Sequence, residues 1–429
     1  MQINPTRSHA VTFGVLLVGM LCTAARALDW PIDYAEAHWV LDYRFGLIKR
    51  GLIGAALEPF LRHTPPQNVE TIVRVLASAV LAAYLVALAA VLLRILRAHA
   101  WDARGVLIVA MFVTSSQVVM SGHLIGFYDQ ILYLAALASV LLCARRWYVA
   151  AGVLQALAVL AHENYVLIGL PLVALALWLS TPRASAFALA SALVLPLVAL
   201  AVVAINEALR ADPEALTARL TLHLQHYPFI SAYNQQRFPG WLVMPFSGHL
   251  TNQIRWFLPR LLHPIFAGPA LPFIAIASLL VSLPDLRQRR WRRIAPLALA
   301  IGAPVLLLAV AADRSRILGF AQMSCLLAIW IQLRGVRIHP PPLAGRALRV
   351  FGSAALATIA LQVLHDCVLL DHREEHFAPW LRALLCLPVA LLVLRVMSAD
   401  PSSGAETLHA QEPVPALDAE AQLAPSIRG

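Results

Sequence analysis

About twelve apolar runs, each roughly 15 to 24 residues long and nearly free of charge, recur along this chain of 429 residues. Crossing about 30 Å of hydrocarbon takes about 20 such residues in helical form. The runs fall near residues 10–27, 70–93, 104–121, 127–143, 147–161, 164–180, 184–206, 262–283, 294–312, 316–333, 349–370 and 380–397. Inside lipid the backbone has no water to bond, so each run must satisfy its own polar groups as a helix. The expected fold is all-α, a polytopic transmembrane helical bundle of about 12 spans over residues 1–398. The tail at 399–429 opens with Pro401, Ser402, Ser403 and Gly404 and shows no apolar period, which reads as a disordered cytoplasmic end. Composition agrees: 60% of residues are hydrophobic and 13% charged, an imbalance foreign to soluble chains of this length.

A net charge of +10 raises the question of nucleic acid. The arginines, however, sit in short clusters between apolar runs, as topology signals do, so nucleic-acid binding is not expected. Arg94, Arg97 and Arg104, then Arg145 and Arg146, Arg183, the run from Arg287 to Arg293, and Arg334, Arg337, Arg346 and Arg349 mark alternate ends of the spans. By the positive-inside rule those ends, and both termini with them, are cytoplasmic, and the expected location is a bacterial inner membrane. The opposite face then collects segments 28–69, 121–127, 162–164, 207–261, 312–316 and 370–380. In the first of these an interfacial helix is expected over Tyr43–Arg62. The large outside loop 207–261, between spans 7 and 8, reads as a folded, aromatic-rich cap.

Two features near the chain start and end need a decision. Arg7, an apolar core and Ala25-Arg26-Ala27 imitate a cleavable signal peptide, but later spans already commit the chain to the membrane, which favours an uncleaved first helix. The five cysteines (Cys22, Cys143, Cys325, Cys367 and Cys386) lack the short spacings of a metal site. Cys367 and Cys386 flank one outside loop and are placed to pair if that compartment is oxidising.

Chemistry-bearing residues concentrate outside. In the first loop Asp29, Asp33, Glu36 and Asp42 alternate with Trp30, Tyr34, Trp39, Tyr43 and Phe45. Aromatic faces cover the apolar side of a sugar while carboxylates accept its hydroxyl protons. One carboxylate, Asp42 first among them, can then act as general base toward an acceptor hydroxyl. Arg44, Lys49 (the sole lysine) and Arg50 follow, a set suited to neutralising a phosphate leaving group. The plainer reading makes them snorkelling anchors of an interfacial helix. Asp129, the pair His162 and Glu163, and the turn Asp313, Arg314, Arg316 bring further charge to the same face. Ionisable groups at membrane depth imply use or pairing. In the long loop Arg237 and Trp241 are candidates for holding part of a glycan, while His223 and His226 lack a carboxylate partner nearby in sequence. No cofactor and no metal is expected from that loop; a divalent metal held by the first-loop acids stays open.

With Asp42 in an outside first loop ahead of many spans, the chain resembles the GT-C class of membrane glycosyltransferases. That resemblance implies a polyprenyl-phosphate or pyrophosphate sugar donor, a lipid-linked or growing glycan acceptor, and Asp42 as base or metal ligand, with Asp29, Asp33 and Glu36 as rivals. The paired Asp-Glu of some members is absent. The chain also resembles bacterial polysaccharide repeat-unit polymerases, whose outside loops carry Arg, ten residues, then Gly, as Arg237 to Gly248 does here; Arg94 to Gly105 and Arg334 to Gly345 repeat the spacing on the cytoplasmic side. The expected function is therefore glycosyl transfer in exopolysaccharide or other cell-surface glycan synthesis, with glycosyl transfer roles for Asp42, Glu163 and Asp129 and substrate contacts from the neighbouring arginines. Two other classes stand beside it: a transporter or flippase, disfavoured by almost wholly apolar mid-span positions, and a non-catalytic partner of envelope polysaccharide-assembly proteins.

Overall fold

The computed structural model describes residues 5–180, 186–262, 269–311, 313–335, 343, 345–369, 372–373 and 375–398; the tail assigned to 399–429 lies outside them. The helices run α1 (Pro5–Ala25), α2 (Asp33–Trp39), α3 (Gly51–Leu61), α4 (Pro66–Ala98), α5 (Ala103–Val113), α6 (Ser116–His123) and α7 (Asp129–Ala144). Then come α8 (Tyr148–Ala161), α9 (Tyr165–Ser180), α10 (Ala186–Ala208), α11 (Pro213–Leu224), α12 (Ala232–Val243), α13 (Phe246–Gln253) and α14 (Phe257–Leu262). The last are α15 (Ala270–Arg287), α16 (Trp291–Gly302), α17 (Arg314–Gly335), α18 (Gly345–Leu364) and α19 (Pro379–Ser398). A two-residue antiparallel ribbon, β1 (Val368–Leu369) with β2 (His372–Arg373), joins α18 to α19.

Nine helical stretches among the described residues are long and apolar enough to cross a membrane, α5 with α6 forming one of them. The chain is a multi-pass membrane protein. Every one of the twelve apolar runs contains helix, but α7, α8 and α9 have only 16, 14 and 16 residues. At 1.5 Å per residue these measure about 24, 21 and 24 Å, less than the hydrocarbon thickness. Among the described residues the full-length count is nine, and three short helices pack among the rest.

Position in the bundle follows from the faces. α5, apolar all round its length from Val106 to Val113, is buried throughout, as is α6, and α17 nearly so. α10 instead exposes Leu195, Val198 and Val202, a lipid-facing pattern. It packs along α8 at close range, because Gly152 of α8 rests against the Ser191 carbonyl and Gln155 Nε2 donates to the Ala192 carbonyl (2.8 Å). α1 packs on α19, α6 and α5. Beyond its end Arg26, fully buried, forks onto Glu375 (2.7 and 2.8 Å), which Arg382 of α19 also holds (2.9 Å). All five cysteines are free, so Cys367 and Cys386 do not pair.

The bundle core is less apolar than its sequence implies. Between α5 and α6 the helix breaks at Thr114 and Ser115, the latter extended at ψ 158°. Gln322 Oε1 on α17 accepts from Ser116 Oγ (2.8 Å) and from the Gln117 N–H (3.1 Å), filling the start of α6. Tyr84, Gln117 and Ser121 extend this buried polar seam. Mid-span positions are expected from sequence to be almost wholly apolar; the polar residues are indeed few in sequence, but they converge from three helices.

One end of the bundle carries tight turns with a left-handed residue (Ala100 and Trp101, Arg146, Arg289). Trp147 and Trp291 are exposed there, as belt tryptophans are at a membrane interface. The other end is capped by α2, α3 and α11–α14. The single interfacial helix expected over Tyr43–Arg62 is replaced by a 3-10 turn, Tyr43–Phe45, and a helix that begins only at Gly51. Asp42 caps the turn by accepting from Arg44 N–H (2.8 Å), and Gly46 (φ 93°) and Arg50 (φ 62°) interrupt helical geometry. Segment 207–261 is largely helical.

Candidate functional site at the capped end

Arg50 centres the site. It lies immediately before α3 in the left-handed region, where a non-glycine residue is disfavoured by about 1–2 kcal/mol. Tertiary contacts hold it there: Nη2 and Nε donate to Glu163 (2.7 and 3.4 Å) in the α8–α9 turn, and Nη1 lies 3.1 Å from His38 Nε2 on α2. His38 Nδ1 is 2.9 Å from the Tyr34 carbonyl. An arginine only donates and a carbonyl only accepts, so His38 is neutral with its proton on Nδ1. Burial, reinforced by the Arg50 charge, lowers its pKa to about 3. His162 accepts from the Asn164 N–H at Nδ1 (3.2 Å), and burial followed by Arg50 keeps it well below the usual imidazole range. Burial would raise Glu163, but the Arg50 guanidinium overrides it and holds the carboxyl well below the usual range. At neutral pH the turn and α2 together therefore present one carboxylate, Glu163, and two uncharged imidazoles, His162 and His38.

A second guanidinium stands alongside. Arg316, in the first turn of α17, forks onto Asp129 at the start of α7 (2.6 and 2.7 Å) and reaches Asp313 (3.2 Å). Phe127 is the shared wall: Arg316 lies 4.9 Å from its ring, and Tyr34 and His38 face it at 6.0 and 6.4 Å. Trp39 Nε1 donates to the Gly126 carbonyl (2.6 Å) and Tyr128 Oη to the His38 carbonyl (2.8 Å), fixing α2 to the α6–α7 turn. From the cap, Phe238 of α12 meets His38 edge-on at 4.5 Å.

The cluster holds two guanidiniums, Arg50 and Arg316, against three carboxylates, Glu163, Asp129 and Asp313. Side-chain exposure separates their roles: Arg50 is 23%, Glu163 20% and Asp313 22% exposed, but Asp129 only 5%. Asp129 is the buried counter-ion that orients Arg316, while the Glu163, Arg50 and Asp313 side chains remain partly exposed. A carboxylate beside a guanidinium can take a proton and, on doing so, loosen its hold on the cation.

Of the residues singled out from sequence, Arg50, His162, Glu163, Asp129, Asp313 and Arg316 come together, with Arg314 opening the same helical turn. Asp42 is placed elsewhere. Both its oxygens are engaged by Arg44 (2.7 and 3.0 Å), which also nears Glu58 (3.7 Å). Of the rival first-loop acids, Asp33 accepts from Ser231 N–H and Asn234 (2.9 and 2.8 Å), buried Glu36 pairs with Arg74 (2.6 Å), and exposed Asp29 accepts from the N–H of its neighbour Trp30 (2.7 Å). Lys49 ties the loop to the cap through Glu207 (3.2 Å) and the Met244 carbonyl (2.6 Å). Arg237 and Trp241 lie on the exposed side of α12 with Tyr233, four residues apart, Arg237 over Tyr233 and Trp241 stacked on His249. Among the described residues no three histidines, cysteines or acids are grouped to hold a metal. Sequence reasoning missed His38, Phe127 and Phe238; only the i, i+4 pairing of Tyr34 with His38 on an outside helix hinted at the first. No protein-family model matches this chain, and no curated protein or solved structure does either.

Proposed function

We propose that the chain transfers a glycosyl unit from a polyprenyl-(pyro)phosphate-linked donor to a lipid-linked or growing glycan acceptor at the Arg50–Glu163 cluster, on the outer face of a bacterial inner membrane. The observation that carries this reading is a left-handed, tertiary-held arginine paired to an ionised, solvent-reachable carboxylate, under an aromatic cap at one end of a membrane bundle. In the proposed step Glu163 takes the acceptor hydroxyl proton and the freed oxygen attacks the anomeric carbon. The bond from that carbon to the donor phosphate oxygen breaks, and the phosphate leaves with the electron pair. Protonation of Glu163 releases Arg50 toward the phosphate, so base and clamp are coupled in one pair. Each acid is paired to an arginine, and Glu163 replaces Asp42 as favoured base because its side chain is 20% exposed against 3% for Asp42.

The test is the profile of lipid-linked glycans in cells lacking the gene and complemented with Glu163→Gln or Arg50→Ala. Loss of product by at least tenfold at normal protein level supports the reading; full output from both variants removes it. Accumulated single repeat units would mark a polymerase, and a missing sugar a single-residue transferase.

A transporter or flippase is a second reading, favoured by the broken α5–α6 helix and its polar seam, since discontinuous helices near the midplane are where many transporters hold substrate. It requires substrate flux across sealed proteoliposomes without product formation, lost in Gln322→Leu.

A further inference from the structure

Phe246 to Leu262 forms one continuous helical segment, α13, a 3-10 turn at Ile254–Trp256, and α14. Phe246, Leu250, Ile254, Leu258 and Leu262 recur every fourth residue, and all are exposed, by 37 to 66%. Residues four apart lie on adjacent turns, each offset by about 40°, so the five form an apolar stripe that winds round the segment. Ser247, Thr251 and Arg255, each one residue further, form an exposed polar stripe beside it. Arg255 lies 5.4 Å from the ring of its neighbour Trp256. The segment contains no acidic residue; its only full charges are Arg255 and Arg260.

The third side of the segment fixes its height. Arg260 is buried and donates to the carbonyls of Leu308 (3.2 Å) and Ala311 (3.1 Å). Those carbonyls close the capped end of the membrane-crossing stretch Trp291–Ala309, whose Leu299 and Leu306 are exposed toward lipid. The helix is therefore fastened at the capped end of a membrane-crossing stretch. Apolar residues on one stripe, basic but not acidic charge, and an aromatic at the boundary are the features of a helix lying in the interface plane.

We propose that Phe246–Leu262 is an interfacial membrane helix, its five-residue apolar stripe in the acyl boundary of the leaflet at the capped end and Arg255 at the level of the lipid phosphates. The partner is the bilayer leaflet itself. The inference is independent of glycosyl transfer and stands if that reading fails.

The test uses the full chain in liposomes containing phosphatidylglycerol, with Cys22→Ala as background because the other four native cysteines are buried. Single cysteines at Leu250, Leu258, Ser247 and Thr251 carry an environment-sensitive nitrobenzoxadiazole label. Labels at Leu250 and Leu258 are expected to be quenched by lipids bearing a nitroxide high on the acyl chain and to be several-fold less sensitive to aqueous iodide than those at Ser247 and Thr251. Equal iodide quenching at all four sites would leave the stripe in water. Shielding of Leu250 and Leu258 from both quenchers would place protein over it, including a second copy of the chain. Either result overturns the proposal. Ile254 and Leu262 repeat the measurement on other turns should a label at Leu250 disturb packing.

Discussion

His38 and Arg50 form a contact in which one partner must remain uncharged: the imidazole Nε2 faces a guanidinium at 3.1 Å and can only accept. With a pKa of about 3 in the folded protein against about 6.5 when unfolded, the unfolded chain binds the proton first. Stability from His38 is complete above about pH 6.5, declines as the pH falls, and levels off near the folded value. Between pH 6.5 and 5 the loss amounts to about 2 kcal/mol. His162, lowered for the same reasons, adds in the same direction. Glu163, held low instead, contributes above the ordinary carboxylate range and is lost only in stronger acid. Thermal unfolding of the detergent-solubilised protein should therefore fall in midpoint from pH 7.5 to 5, and less steeply in His38→Gln; identical slopes would refute the assignment. Which acids matter was only partly legible at this scale. Glu163 stood out by its position between two apolar runs, whereas Asp42 looked available until Arg44, two residues on, was seen to fold back over both its oxygens. Spacing along a chain reports proximity of residues but not whether their lone pairs are already engaged.

The site depends on elements whose backbones nearly touch. α3 lies on the first loop because Gly54 has no side chain; a Cβ there would run into the Leu41 carbonyl, and Gly51 is similarly close to the Tyr43 ring. Arg50 immediately precedes α3, so lifting that helix moves Arg50 away from Glu163. Gly54→Val should lower the unfolding midpoint by the equivalent of about 1–3 kcal/mol and reduce lipid-linked glycan output along with it. Gly302→Ala, where an added Cβ meets only open space, is the matched control and should leave both unchanged. An equal effect of the two substitutions would show that α3 has room the geometry denies. Sequence identified this stretch as helical and interfacial, but the break at Gly46 and Arg50 follows from capping by Asp42 and from tertiary anchoring of Arg50, neither of which has a periodic signature. The helical segment Phe246–Leu262 shows the converse. Its fourfold repeat was present in the sequence within a stretch read as a cap, and only exposure distinguished an open stripe from a buried one.

For the whole molecule, the three short helices decide how the chain is threaded. α7 starts at the site with Asp129, α8 ends there before His162, and α9 starts beside Glu163. At its far end α9 brings Trp178 Nε1 to the Arg292 carbonyl (3.0 Å), in the arginine-rich start of α16. α9 thus reaches from the capped end to the arginine-rich end, although it lacks the length for a lipid-exposed crossing. Short helices suffice because each is packed against a longer one: α7 against α4, α8 against α10, and α9 against α17. Hydropathy marks all three segments, whereas length alone drops them, and the two counts differ in the sidedness of every loop between. The turn at Arg145–Trp147 should accordingly lie on the same side as Gln288–Arg290, and Asp212 on the other. Cysteines placed at Arg146, Arg289 and Asp212 and treated with a membrane-impermeant maleimide in intact spheroplasts should be labelled at Asp212 alone, the other two reacting only after permeabilisation. Labelling of Arg146→Cys in intact spheroplasts would mean that α7 and α8 turn back at the capped face. The Asp129, Glu163 and Arg316 side chains would then meet there without a membrane between their helices and the arginine-rich end.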